Sequence, residues 1–401
     1  MKNNPLDNIV KCDIDVSSPG SSDVVFDTIL MIVPGPEKAG DKTMEKVTSI
    51  SSADELMEYG FTVEEAAYIA AAAAFSQNPA PAELNICIRR KASSAGEETD
   101  RMDEEDTVEG KNAEVEEGAD TGETGSGETG AVGYEDIAVT LSRANSEAGF
   151  YGIHLTSFKD PADVEAAASW TEAHEKIFGF EYDDLEHCPV KNFSYFRSFG
   201  MYSGNADGYE NGRQPSGNQY AALAWMAKCF GYDPGSETWH LKELAAIVPS
   251  SLSADQNKQL EEKNINRFMR YAGCNCTIGG TMVSGEWIDV IRFRDWLKTD
   301  MQTRVFNILK GNRKVPFTDP GIGLIEGAME KSLKEGQDMG GIAPSEYDSD
   351  DNLVPGYQVS VPRASDLTEA QRKSRKLPGC KYSARLAGAI HAVNIQGFLT
   401  F

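Results

Sequence analysis

The sequence lacks the short patterns that announce familiar chemistry. No nucleophile elbow, Walker loop, paired-histidine zinc helix or dinucleotide fingerprint occurs in it. Histidine is scarce: the five, His154, His174, His187, His240 and His391, lie in dissimilar settings. His187-Cys188 and Cys274-x-Cys276 each offer two soft ligands, whereas a structural zinc site takes four at defined spacing. Asn205, Asp207, Gly208 and Glu210 form only a fragment of a calcium loop. Gly279-Gly280 reads as a tight connection, because a phosphate cradle runs from a strand into a helix with a cation nearby. Acidic pairs are too frequent for any one to stand out as a general acid–base couple. The sequence therefore assigns no catalytic, metal or cofactor-binding residue, and no cofactor is expected.

Positive charge is also in deficit: 38 basic against 63 acidic residues leave a net charge of -25. A phosphate-binding surface needs a basic stripe, and none is present, so direct contact with nucleic acid is not expected. Long apolar runs are missing too. The run from Ala66 to Phe75 is too short to span a bilayer and carries Tyr68, so it reads as a packed helix, and no membrane insertion is expected. Met1 to Val10 is polar with one proline, unlike a secretory leader, so the chain is expected to be made and folded in the cytoplasm. The seven cysteines are odd in number and scattered, which fits reduced thiols.

What is present is an ordinary core in a chain of 401 residues, 40% hydrophobic, long enough for two or three domains. The pattern is mixed α/β. Val24 to Val33 reads as a strand covered on both faces, stopped by Pro34-Gly35-Pro36. A short helix around Leu56, an alanine-rich helix over 62–76 started by Thr62 and Glu65, and a strand from Glu83 to Arg89 complete a first α/β unit. Residues 91–133 differ in kind, with fourteen acidic and three basic side chains and almost no large apolar group. They read as a solvated insertion between two strands, the second being the apolar alternation from Val132 to Leu141; an acidic calcium site would need a fixed loop.

A second α/β block begins with a strand from Phe150 to Leu155. A helix follows from Pro161 through Phe178, then a strand over Phe193 to Phe199, a glycine-rich loop over Gly200 to Gly217, and a helix over Gln219 to Phe230. Ser253 caps a helix whose 3.6 period runs through Leu260, Ile265 and Phe268 toward Tyr271. The longest element spans Gly285 to Lys310, with Trp287, Ile291, Leu297, Met301, Val305 and Leu309 on one stripe. Glu286, Asp289 and Asp295 lie early in it and Arg304 and Lys310 late, as the helix dipole favours. Another helix, Ile322 to Leu333, and a strand from Tyr357 to Val361 come next.

Both chain ends carry strand-like apolar sets. From Tyr382 to Phe401 the alternation persists to the last side chain, through Val393, Ile395, Leu399 and Phe401, which predicts a strand clamped in a sheet of this chain or of a neighbour. Ile9, Val10, Ile14 and Val16 read either as a first strand or as an arm pairing with another subunit. Between these ends Arg363, Arg372, Lys373, Arg375, Lys376, Lys381 and Arg385 gather. They read either as a solvated strand pair or as a basic region facing an acidic surface on another copy or partner.

Three stretches carry a family likeness. They are Gly285-Glu286-Trp287-Ile288-Asp289-Val290-Ile291-Arg292-x-Arg294-Asp295-Trp296-Leu297; Lys314-Val315-Pro316-Phe317-Thr318-Asp319-x-Gly321; and Leu386-x-Gly388-Ala389-Ile390-His391-x-Val393-x-Ile395-x-Gly397. Together with Phe75-Ser76-Gln77-Asn78-Pro79-x-Pro81 ahead of a strand, the set resembles the tail sheath proteins of contractile bacteriophage tails and of related particles, R-type bacteriocins and contractile injection systems.

The resemblance implies a structural subunit, not an enzyme, in a multidomain protomer with extended N- and C-terminal β-strand arms. Such a subunit polymerises with itself around an inner tube protein, meets baseplate and tail terminator proteins, and contracts to drive the tube through a cell envelope. It would be assembled in the bacterial cytoplasm and end in a virion tail or released particle. Carried onto this chain, residues 1–25 would hold the N-terminal arm and part of an inner domain, and 26–90 and 134–285 the outer α/β domains. Residues 91–133 would be an acidic insertion that the family does not account for, and 286–401 the tube-facing domain with its terminal arm strand. The competing expectations are a non-contractile tube- or baseplate-associated protein of the same kind of particle, and a soluble enzyme with a pocket of clustered titratable groups.

Overall fold

The computed structural model describes residues 26–92, 133–204 and 220–398. Ile9, Val10, Ile14, Val16, Leu399 and Phe401, most of the acidic insertion and the calcium-loop fragment lie outside them.

One eight-stranded sheet carries the larger part of the chain. Its strands are β1 (Ile29–Val33), β2 (Thr48–Ile50), β3 (Leu84–Ile88), β4 (Gly152–Leu155), β5 (Ile177–Tyr182), β6 (Ser198–Tyr202), β7 (Asn266–Tyr271) and β8 (Cys274–Ile278), in the order β2-β3-β1-β4-β5-β6-β7-β8. The strands from β3 to β7 in this order run parallel, with β2 and β8 antiparallel at the two edges. Both α/β blocks foreseen in the sequence thus feed a single sheet.

The side chains of β1 show why it is apolar throughout. Ile29, Met31 and Val33 enter one core with α2 (Ala66–Phe75) and α5 (Ala221–Phe230). Leu30 and Ile32 enter the opposite core with α3 (Ile137–Glu147) and α4 (Pro161–Glu172). A strand covered by helices on both faces has no polar side to show. The alanines of α2 let α5 lie close against it, and a Cβ on Gly152 would come within 2.7 Å of the Phe230 ring, so the approach of α5 to β4 depends on that glycine.

Four elements differ from the sequence expectation. Val132 to Leu141 does not form a strand: Ile137, Leu141 and Ala144 are buried one helical turn apart, Val139 is 55% exposed, and the Asp136 carboxylate caps α3 by accepting from the Ala138 N–H. The helix from Pro161 stops at Glu172; Glu175 adopts φ 50°, and Ile177 and Phe178 open β5. The strand expected over Phe193–Phe199 begins only at Ser198, and Gly200 belongs to it. The helix started by Ser253, α6 (Ala254–Glu262), ends before Asn264, which takes φ 55°; Ile265, just ahead of β7, and Phe268, within it, then enter opposite cores. At the two helix-to-strand junctions the apolar run passes through unchanged, and the positive-φ residue, Glu175 or Asn264, marks where one period gives way to the other.

The C-terminal part forms a second body. α7 (Ile288–Gly311), about 36 Å long at 1.5 Å per residue, packs its later half, Leu297, Met301 and Val305, against Ile325, Met329 and Leu333 of α8 (Asp319–Asp338). Its first turns, Ile288 and Ile291, enter the core of the large sheet, so α7 joins the two bodies. Two small antiparallel pairs complete it: β9 (Glu346–Tyr347) with β10 (Leu353–Val354), and β11 (Tyr357–Ser360) with β12 (Lys381–Ala384). The short α9 (Glu369–Ser374), held by a Thr368–Gln371 capping box, lies between β11 and β12 in sequence.

Candidate assembly surface

Among the described residues, the long strand expected from Tyr382 to Phe401 forms a ladder over Lys381–Ala384 and no further strand beyond it. Past Ala384 the chain is tied for a few residues. Arg385 N–H donates to Gly356 O at 2.8 Å, Ala343 N–H to Arg385 O at 2.7 Å and Ala387 N–H to Gly341 O at 3.1 Å, with an Ile342–Leu386 bridge. The last anchor is His391. Its Nε2 lies 2.9 Å from Thr238 Oγ1, its ring stacks on His240 at 4.6 Å, and Trp287 meets it edge-on at 4.6 Å. Burial lowers the basicity of both imidazoles, and in His240 the neighbouring His391 lowers it further.

Beyond His391 no described residue covers the apolar side chains. Val393 is 71%, Ile395 89% and Phe398 94% exposed, and Ile390, just before the anchor, 85%. At strand spacing Val393 and Ile395 share one face and Phe398 lies on the other, and exposed apolar groups gathered in this way are found at interaction sites.

The β11–β12 pair offers a matching edge. Because Arg385 N–H bonds to Gly356 O, the two-residue alternation of an antiparallel ladder turns the backbone groups of Tyr357 and Val359 away from β12. No described strand lies on that side. On the inward face Tyr357, Val359, Tyr382 and Ala384 pack on the α7–α8 core, which holds the edge in place.

Of the seven basic residues singled out in the sequence, three are engaged within the chain. The Arg372 guanidinium donates to the carbonyls of Phe317, Ala364 and Leu367; Lys373 pairs with Glu369 at 2.8 Å; and Arg385 pairs with Glu346 at 2.8 Å and donates to Pro344 O. Arg363, Arg375, Lys376 and Lys381 are exposed and make no ion pair with a described residue.

The charged residues of α7 turn out to lock the two bodies together. Asp295 receives a two-pronged bond from Arg197 of the large sheet, 2.7 and 3.0 Å, and a third from the Tyr151 hydroxyl at 2.8 Å. Burial alone would raise the Asp295 carboxyl, yet Arg197, with Arg294 and Tyr151, holds it below the usual carboxylate range. Arg292 pairs with Glu237 at 2.6 Å and donates to the carbonyls of Cys229, Phe26, Phe230 and Tyr232. Asp295 thus serves a buried ion pair; the helix dipole is the smaller effect there. Asp289 shows the opposite case. Burial, then the nearby Glu237 charge, pushes its carboxyl up to about 6 in spite of its place in the first turn. These roles were not legible in sequence, because the partners stand 98 and 55 positions away.

Among the described residues no group of three or more His, Cys, Asp or Glu could hold a metal ion, and no helix is long and apolar enough to cross a membrane. An open hollow of about 450 Å³ beside the β7–β8 turn is lined by Glu243, Leu244, Arg270, Gly273, Cys274 and Asn275.

Known proteins supply the context for this geometry. Residues 288–398 match the family described as E217 tail sheath protein gp31-like, C-terminal domain. No curated protein sequence matches the chain. Among solved structures, a chain of the anti-feeding prophage baseplate superposes with a TM-score of 0.62 at 14% identity, covering 98% of this chain and 98% of that one. The anti-feeding prophage helical sheath in its contracted state gives 0.61 at 14% identity, covering 97% and 98%. A sheath tail protein of Listeria innocua gives 0.51 at 12%, covering 83% and 88%. In fold along nearly its whole length, and by family model over residues 288–398, the chain matches the tail sheath proteins of contractile particles.

Proposed function

We propose that this chain is the structural subunit of a contractile sheath, polymerising around an inner tube and shortening to drive that tube through a cell envelope. One observation carries the reading. A C-terminal arm leaves the body at His391 with Val393, Ile395 and Phe398 bare, while the same domain presents the unpaired edge of β11. An arm of one copy laid along the edge of another gives backbone pairing that is indifferent to side-chain detail, so copies stay tethered while their bodies rotate between two packings.

Magnitudes say which part of the arm matters. Ordering each arm residue costs about 1–2 kcal/mol, and each new backbone bond returns roughly 1 kcal/mol, so pairing alone does not hold the arm. Burying Val393, Ile395 and Phe398 adds about 1.5–3 kcal/mol apiece, and that contribution decides the balance. Ile9, Val10, Ile14 and Val16 would supply the second arm, and Leu399 and Phe401 would extend the first. In this arrangement residues 286–401, with the N-terminal 25, face the tube, and the large sheet lies outward. The inner tube, baseplate and terminator proteins are the partners of such a subunit, assembled in the bacterial cytoplasm before it reaches a tail or released particle.

The test is deletion of residues 393–401. Circular dichroism should report a folded chain, and electron micrographs should lack the long hollow cylinders formed by the full chain; cylinders of normal length from the truncated chain would refute the reading. The likeness to a chain of a baseplate favours a second reading, a sheath-fold ring at the baseplate. Isolated rings in place of cylinders from the full chain would select it.

A further inference from the structure

The Arg385–Glu346 ion pair ties the base of the β9–β10 hairpin to the C-terminal body, while its outer part is exposed. Its strands are two residues long, and its cross-strand pair, Tyr347 opposite Leu353, is 73% and 58% exposed. Its turn is acidic. The Asp348 carboxylate is spent inside the turn, accepting from the N–H groups of Asp350 and Asn352, but Asp350 and Asp351 face solvent with no side-chain partner. A two-stranded hairpin with an apolar face in water is marginal by itself.

The opposite charge sits at the other end of the same ladder. β11 starts one residue after Gly356, where the hairpin returns, and β12 ends beside it at Ala384. At the far end Ser360 pairs with Lys381, Arg363 follows three residues on, and Arg375 and Lys376 close α9, which Arg372 ties to Ala364 and Leu367. Asp366, within this stretch, accepts from the Ser365 hydroxyl, and Glu369 is paired with Lys373. One ladder of about 10 Å therefore separates an acidic, apolar-faced knob from four unpaired cations.

We propose that the β9–β10 hairpin of one copy docks head to tail on the Arg363–Arg375–Lys376–Lys381 end of the β11–β12 ladder of a second copy. The proposal rests on the sheath reading and adds a contact separate from the arm. Asp350 and Asp351 meet the cations, and Tyr347 lies against an arginine or the aliphatic stem of a lysine. A contact between unlike ends does not close into a two-fold dimer; repeated, it generates a ring or helix. It also fixes the direction in which copies add, which backbone pairing of an arm leaves less defined.

Two charge-reversed chains test it: Asp350→Lys with Asp351→Lys, and Lys376→Glu with Lys381→Glu. All four residues are exposed, and thermal melts followed by circular dichroism check first that each variant folds, including the change at Asp351, whose φ is 60°. Each variant alone should need about tenfold more protein, or more, to polymerise at low salt. Mixed one to one, they should co-polymerise as well as the native chain, since each offers the end the other lacks. Hairpin-reversed chains that polymerise like native, or a mixture that stays defective, would overturn the contact; the second result would place the cations against a different protein. A native chain that fails to polymerise at all would overturn the sheath reading, and this contact with it.

Discussion

Arg292 and Asp295 stand three positions apart on α7, and each is buried against a charge from the other body. Removing one partner of such a pair strands the other. Asp295→Ala should therefore cost about 3–5 kcal/mol in a urea melt, while the exposed pair Lys373–Glu369 should contribute less than about 1 kcal/mol. Asp289 gives a prediction of opposite sign. Its carboxyl is raised to about 6, so between the ordinary aspartate value of about 3.9 and that point the folded chain holds a proton the unfolded chain has lost. Stability falls as pH rises through this window. Asp289→Asn should thus stabilise the chain by roughly 1–3 kcal/mol at pH 7 and by little at pH 4; equal effects at both pH values would contradict the assignment. The sequence displayed these carboxylates, but a buried ion pair and a solvated dipole partner look alike until the distant residue is placed.

At the scale of elements, helices with a clean apolar stripe were legible: α7 and α8 lie within a few residues of the expected bounds, and Ser253 caps α6 as read. What sequence obscured were the helix-to-strand junctions at Glu175 and Asn264, where one residue takes a positive φ and the apolar run passes through unchanged. The C-terminal arm shows the same difficulty in another form. Its alternation is real, but extended backbone becomes a strand only where an edge is offered. The arm root adds a measurable consequence. Docking against Trp287 and His240 favours the neutral His391 ring, so this support is present above the ordinary imidazole value of about 6.5 and is lost as pH falls through the lower docked value. The His391 ring should titrate below that ordinary value in proton NMR of the native chain and return to it in Trp287→Ala. An unchanged titration would mean that the root is not held there.

At the scale of the molecule, one sheet and one long helix that enters its core make the frame of the chain. The borders of the insertion are already joined, Lys91 bridging Tyr134 and Ala92 N–H donating to Gly133 O at 2.8 Å. Replacing residues 93–132 by a four-residue glycine–serine link should leave the fold intact and raise stability by about 1–2 kcal/mol through the shorter loop. A lower melting temperature would give the insertion a structural role. That two α/β blocks share one sheet was not legible, since strand order depends on which edges meet and not on any local pattern. The arm claim has the most direct test. Amide hydrogen exchange should be fast at Val393–Phe398 and at Tyr357 and Val359 in dispersed chains, and should slow at both places together on polymerisation. Polymers whose arm amides exchange as fast as those of the dispersed chain would contradict the account.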